Sequence, residues 1–140
     1  MGGILIPDET GLEGHSDADV LLHAVMDALL GAAALGDIGD HFPDTDEQYR
    51  GVSSVTLLRK VAFLLKECGY RIGNIDVMVL AEQPKLAPYK KNMVRLLARE
   101  LLIGEKDVSI KATTMERMGF VGRREGIAVE AVALLLSSED

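Results

Sequence analysis

The groups best able to do chemistry sit in a few short stretches. The first is His15-Ser16-Asp17-Ala18-Asp19, followed by His23. Ser16 is placed as the cap of a helix, accepting the N–H of Asp19 as the third helical residue. Asp17 and Asp19 then fall in the first turn, where negative charge suits the helix dipole. His15 stands just ahead of that helix start, where unpaired N–H groups attract phosphate; a capped helix that binds nothing is the plain alternative. The second stretch, Asp37-Ile38-Gly39 to Phe42-Pro43-Asp44-Thr45-Asp46, crowds short acids with glycine and proline. It could hold hydroxyls, phosphates or a metal, or be a solvated turn. Lys85, in Gln83-Pro84-Lys85-Leu86, follows a strand, where ligands of α/β sheets tend to bind; it reads equally as an exposed loop lysine. Lys111-Ala112-Thr113-Thr114-Met115-Glu116 ends another strand with two hydroxyls and a carboxylate. These suit a diphosphate and a divalent cation, because Mg²⁺ is held by one or two carboxylates plus phosphate oxygens; a threonine-capped turn explains them too. Gly119-Phe120-Val121-Gly122-Arg123-Arg124-Glu125-Gly126 adds guanidinium groups shaped for phosphate, or for a surface Arg–Glu pair. His15, His23 and His41 permit zinc, but none shows H-x-H or H-x-x-x-H spacing, so His23 also reads as an ordinary helix histidine. No Gly-x-Ser-x-Gly, Walker A or Gly-x-Gly-x-x-Gly motif occurs, so hydrolase, P-loop and dinucleotide readings have no support.

The elements that must carry these groups follow from periodicity and punctuation. A short strand is expected over Gly3–Ile6, then a loop from Asp8 to Gly14. A helix runs from about Asp17 to Leu35 and stops at Gly36. The loop from Gly36 to Asp46 should lack regular structure. Ser53 or Ser54 caps a second helix through Val55, Leu58, Val61, Ala62 and Leu65, closed by Gly69. Ile75, Val77 and Val79 alternate with polar and larger neighbours in a strand over Tyr70–Leu80. Pro88 suits the first turn of a third helix, to about Leu102. Strands follow over Val108–Ala112 and Ile127–Leu136, separated by the loop Thr113–Gly126. The fold expected is α+β, one small mixed sheet with helices packed on one face. In the last strand Ile127, Val129, Ala131, Ala133 and Leu135 share a face. The opposite face carries Ala128, Val132, Leu134 and Leu136, interrupted by Glu130, and needs a partner.

At 140 residues the chain is one domain, and 48% apolar residues suffice for a core. Only 4% are aromatic and Trp is absent, so aliphatic side chains and Met fill it. A formal charge of -7 argues against nucleic acid and anionic membrane, which need a basic face. The single cysteine, Cys68, excludes an intrachain disulfide and fits a reducing compartment; it reads as a small buried apolar residue. No apolar run reaches the length of a membrane span, and no basic-apolar signal segment opens the chain.

Taken together these blocks resemble the 2-C-methyl-D-erythritol 2,4-cyclodiphosphate synthases of the non-mevalonate isoprenoid pathway. The resemblance covers nearly the whole chain. It rests on His15-Ser16-Asp17-Ala18-Asp19-Val20…His23, Ala32-Ala33-Ala34-Leu35-Gly36-Asp37-Ile38-Gly39, Phe42-Pro43-Asp44-Thr45-Asp46, Gln83-Pro84-Lys85, Lys111-Ala112-Thr113-Thr114 and Gly119-Phe120…Gly122-Arg123…Glu125-Gly126-Ile127-Ala128, in that order.

The resemblance implies a homotrimer with its sheets around a threefold axis and active sites between adjacent subunits. The 2-phosphate of 4-diphosphocytidyl-2-C-methyl-D-erythritol 2-phosphate attacks the β-phosphorus of the CDP unit and CMP leaves. By position, His15 and Thr114 match transition-state stabilisers, and His15 and Ser16 match groups at the phosphates. Asp37, Ile38, Gly39, Phe42, Pro43, Asp44, Thr45 and Asp46 match the methylerythritol pocket. Ala81 to Ala87, with Ala81, Pro84, Lys85, Leu86 and Ala87 as its site residues, and Thr113, Thr114, Met115 and Glu116 match the cytidine and phosphate pocket of the neighbouring subunit. Phe120 and Arg123 match further contacts. His23 matches a zinc ligand and Glu116 the carboxylate of a second divalent ion, magnesium or manganese. Arg123 and Glu130 would also line an axial cavity able to take an isoprenoid diphosphate. The family's first strand carries an Asp-x-His pair that completes the zinc site; residues 1–140 read as one domain lacking that strand, with the zinc set incomplete and weak turnover expected. The compartment implied is cytoplasmic, or plastid or apicoplast in a eukaryote. Two other readings stand beside this one: a non-catalytic trimeric module binding cytidine or isoprenoid diphosphates, and a ferredoxin-like interaction domain suggested by element order alone.

Overall fold

Leu21, Leu22, Val25, Met26, Leu29 and Leu30 recur at helical spacing, and all six are buried. They are the inward stripe of α1 (Val20–Ala32) in a computed structural model that describes residues 1–3, 19–83 and 85–138. The cap of α1 is Asp19, not Ser16, which lies outside the described residues with the rest of 4–18. Asp19 has extended backbone, and one carboxylate oxygen accepts the N–H groups of Leu21 and Leu22, each at 3.1 Å. The same carboxylate accepts from Gly2 at 2.9 Å and Gly3 at 2.7 Å. Aspartate caps as well as serine does, and here it satisfies several orphan donors at once. Gly3 stands in a turn where a strand was expected; the remainder of that strand lies outside the described residues.

The helix also ends earlier than expected. Ala34 turns left-handed (φ 57°), so Leu35 N–H reaches back to the Leu30 carbonyl at 2.9 Å and Ala34 N–H to that of Gly31 at 3.0 Å. This is a Schellman closure, and it folds Leu35 back onto the core. The acid-rich segment beyond it is not irregular. Asp37 and Asp40 form a reciprocal capping box around α2 (Ile38–His41), and Ile38 N–H donates to Asp27 at 2.9 Å. A 3₁₀ turn follows at Glu47–Tyr49. Its acids cap short turns that periodicity does not register.

Ser53 caps α3 (Ser54–Glu67) through the N–H of Thr56. β1 (Tyr70–Leu80) begins and ends where alternation placed it. Pro88 opens a 3₁₀ turn, Ala87–Tyr89, that leads into α4 (Lys90–Leu101). β2 (Val108–Thr113), the single turn α5 (Gly119–Gly122) and β3 (Ala128–Ser137) complete the described chain.

The sheet is mixed, in the order β2-β1-β3. β1 runs parallel to β2 and antiparallel to β3. The long helices cover one face: α1 lies on β3, α4 on β2, and α3 sits between the two helices. Ile75, Val77 and Val79 point into that core with Ile110 and Val108. On the other face Met78 stands opposite Glu130 and Asp76 opposite Val132. Val132 is 71% exposed and Leu134 55%, so the apolar second face expected of the last strand is open in the single chain. At the far rim of the sheet Ser138 N–H closes onto the Gly69 carbonyl at 2.9 Å. Cys68, expected buried, is exposed, because it caps the solvent end of α3.

α3 and α4 are also tied by charge. Arg59 donates through Nε and Nη2 to the two oxygens of Glu100, a side chain only 7% exposed. The Arg59 hydrogen bond holds the Glu100 carboxyl below its ordinary pKa. A depressed carboxyl stabilises the fold above its unfolded value, and that contribution is lost as pH falls through the folded one. The urea midpoint should therefore drop on acidification below the ordinary carboxylate range. Glu100→Gln should flatten that part of the profile; an unchanged slope would remove Glu100 as its source.

Candidate functional site

β1 and β2 are parallel neighbours, so their trailing loops leave the same rim of the sheet. Ala81 N–H continues the ladder by donating to the Thr113 carbonyl at 3.0 Å. Between the loops lies a pocket of about 220 Å³ lined by Ala81, Glu82, Lys85, Leu86, Ala87, Lys90, Ala112, Thr113 and Thr114. Six of the residues singled out from sequence meet here: Ala81, Lys85, Leu86, Ala87, Thr113 and Thr114. Pro84 lies outside the described residues. Neither Lys85 nor Lys90 forms an ion pair among the described residues, so both cations are free for an anion.

The loop after β2 is held by local bonds. Thr113 Oγ1 donates to the Thr114 carbonyl, and Thr114 Oγ1 accepts from Glu116 N–H, both at 3.3 Å. Glu116 (φ 51°) and Arg117 (φ 69°) are consecutive left-handed residues. Met115 and Glu116 are exposed and do not line the pocket. Glu82, within the 81–87 stretch matched to the pocket, has a role that sequence reasoning did not assign: it accepts the N–H groups of Met115 at 3.3 Å and Arg117 at 2.8 Å. Its partners lie 33 and 35 residues away, so only the strand pairing reveals it. Phe120 is exposed, and Arg123 makes a two-pronged bond to Glu125, both contacts 3.0 Å. That is the surface Arg–Glu alternative, and neither residue lines the pocket.

The remaining expected residues are elsewhere. His15 and Ser16 lie outside the described residues. His23 is half-buried, with Nε2 3.2 Å from Ser54 Oγ; the buried Ser54 hydroxyl in turn accepts Asp19 N–H at 3.3 Å. Asp37, Ile38 and Gly39 form the start of α2. Phe42 packs edge-on against Tyr49, ring centres 5.1 Å apart, and borders a separate cleft of about 310 Å³ with His41, Lys60 and Phe63. Asp46 caps the turn at Gln48, while Pro43, Asp44 and Thr45 lie on the connecting segment. One chain thus holds two groups of candidate residues and does not join them in one pocket.

Zinc fits the described residues poorly. A catalytic zinc needs about three protein ligands, and no group of three His, Cys, Asp or Glu side chains occurs among the described residues. The His23 nitrogen faces Ser54, and the neighbouring carboxylate, Asp19, is occupied by four backbone donors. Glu116 is a different case. A lone exposed carboxylate beside two hydroxyls suits a divalent ion whose other ligands are phosphate oxygens.

Nearly the whole chain is similar to known proteins in sequence and in fold. Residues 1–136 match the YgbB family. The chain is 57% identical over 137 residues to a 2-C-methyl-D-erythritol 2,4-cyclodiphosphate synthase of Azotobacter vinelandii, covering 98% of this chain and 87% of that protein. It is 60% identical over 136 residues to a protein of the same name from Desulfitobacterium hafniense, covering 97% and 86%. Among solved structures it superposes on a CDP-bound 2C-methyl-D-erythritol-2,4-cyclodiphosphate synthase with a TM-score of 0.86 and 35% identity, over 96% of this chain and 87% of that one. No helix among the described residues is long and apolar enough to cross a membrane. A match that spans all but the last four residues places this chain in the YgbB family.

Proposed function

We propose that this chain is a cyclodiphosphate synthase: it converts 4-diphosphocytidyl-2-C-methyl-D-erythritol 2-phosphate to 2-C-methyl-D-erythritol 2,4-cyclodiphosphate and CMP. The observation that carries the reading is the pocket between the 81–87 and 113–114 segments, with two threonines and two lysines that form no ion pair among the described residues, in a chain 57–60% identical to proteins of that name. A solved relative is described with CDP bound.

An oxygen of the substrate's own 2-phosphate bonds to the β-phosphorus. The bond from that phosphorus to the bridging oxygen breaks, and CMP leaves with the electron pair. The nucleophile is already an anion, so no strong base is needed. The task is to bring two repelling phosphates together and to spread the charge that develops. Lys85 and Lys90 supply positive charge at the pocket wall. Thr114 Oγ1 accepts from Glu116, which leaves its O–H proton to donate to a phosphoryl oxygen. Glu116 would hold a magnesium or manganese ion, which when bound neutralises diphosphate charge.

The reading takes a homotrimer. It is supported by the separation of the two residue groups on one chain, and by the open apolar face bearing Val132 and Leu134. A neighbouring copy would then bring His15, Ser16, His23 and the methylerythritol pocket of Asp37–Gly39 and Phe42–Asp46 to the pocket described here. The purely binding module is not favoured, because relatives at this identity are named as synthases.

The test is incubation with the substrate and Mg²⁺, followed by ³¹P NMR and chromatography. Equimolar CMP and cyclic diphosphate are expected. Open-chain hydrolysis products, or no CMP together with no CDP binding by calorimetry, would overturn the assignment.

A further inference from the structure

We infer that Glu82 is a positioning residue, whose carboxylate clamps the 114–117 loop and so sets Thr114 at the pocket wall. The inference rests on the function proposed above. The loop adopts a shape its sequence does not favour, since Glu116 and Arg117 are both non-glycine residues in the left-handed region. Its local bonds leave the Met115 and Arg117 N–H groups to a partner outside the loop. On one side Glu82 Oε1 receives the N–H groups of Arg117 and Met115, at 2.8 and 3.3 Å. On the other side Gly122 closes against the same residue: a Cβ there would lie 2.2 Å from the Arg117 carbonyl carbon. The Arg117 backbone is therefore gripped between a carboxylate and a glycine, and Thr114 lies three residues upstream.

The chemistry of the pocket makes this carboxylate conspicuous. A negative side chain in a wall with Lys85 and Lys90 would oppose a phosphate ligand. Its charge is instead taken up by two backbone donors, in the stronger, charge-assisted form of hydrogen bond. Glu82 belongs to the loop after β1, and the residues it holds belong to the loop after β2. It couples the two halves of the pocket rather than either half to ligand.

The experiment compares Glu82→Ala with Glu82→Gln in the full chain. Alanine should lower kcat about tenfold or more with little change in melting temperature, while glutamine, which keeps an acceptor oxygen, should stay within about threefold of the parent. NMR-detected exchange of the Met115 and Arg117 amides should accelerate in the alanine variant only. The inference is overturned if both variants are impaired alike, or if those amides exchange at the parental rate without the carboxylate. If the parent forms no cyclic diphosphate, the proposed function fails, and the amide exchange still decides the clamp.

Discussion

Thr114→Val should reduce kcat for cyclisation by about 10²-fold while CDP affinity stays within a few-fold, an effect typical of removing one donor to a developing charge. Valine keeps the shape of threonine and removes only the hydroxyl. Thr114 lines the pocket and its hydroxyl oxygen takes the Glu116 N–H, so its proton has no acceptor among the described residues. In the function proposed above, ground-state binding relies on the lysines and the apolar residues that line the pocket, which valine leaves intact. Charge on the phosphoryl oxygens rises only as the ring closes, so the missing donor is felt in kcat. Thr114→Ser should recover most of the rate. If valine instead raised KM and left kcat alone, Thr114 would be a binding residue, and its assignment to the transition state would be wrong.

Gly122→Val should cost about 3 kcal/mol of stability, or on the order of 10 °C in Tm, at the upper end of overpacking effects. The obstacle is backbone: an added Cβ would meet the carbonyl carbon, Cα and carbonyl oxygen of Arg117 at 2.2, 2.7 and 2.9 Å. No rotamer change relieves such overlap, so α5 or the 114–117 loop must move. Activity should fall with stability, because the loop that moves carries Thr114. Thermal unfolding and turnover measured on one preparation check both. A valine variant matching the parent in Tm and rate would show that the two segments separate without cost.

Strands were the most readable part of the fold. The alternation of Ile75, Val77 and Val79 located Tyr70–Leu80 to the residue, since period-two burial leaves few alternatives. Helix ends were less so. Ser16 and Asp19 are both good caps, and the choice depends on contacts from Gly2 and Gly3 that local sequence does not contain. The turn at Ile38–His41 escaped because its stability comes from two aspartates bonding each other's backbones, not from an apolar stripe. Of the site, Lys85 and Thr114 were recognisable by type and by their place at strand ends. The hold of Glu82 on the loop after β2 was not, because its partners become neighbours only once β1 and β2 pair in parallel. Cys68 was misjudged as buried from the usual habit of its side chain; its place at a helix terminus decides otherwise.

The bond from Ser138 to Gly69 fastens the end of β3 beside the start of β1, whereas the pocket loops trail from its other end. Eleven extended residues separate the two rims, roughly 30 Å. A fluorophore, affinity handle or second enzyme joined beyond Ser138 would begin a full strand's length from the pocket lined by Lys85 and Thr114.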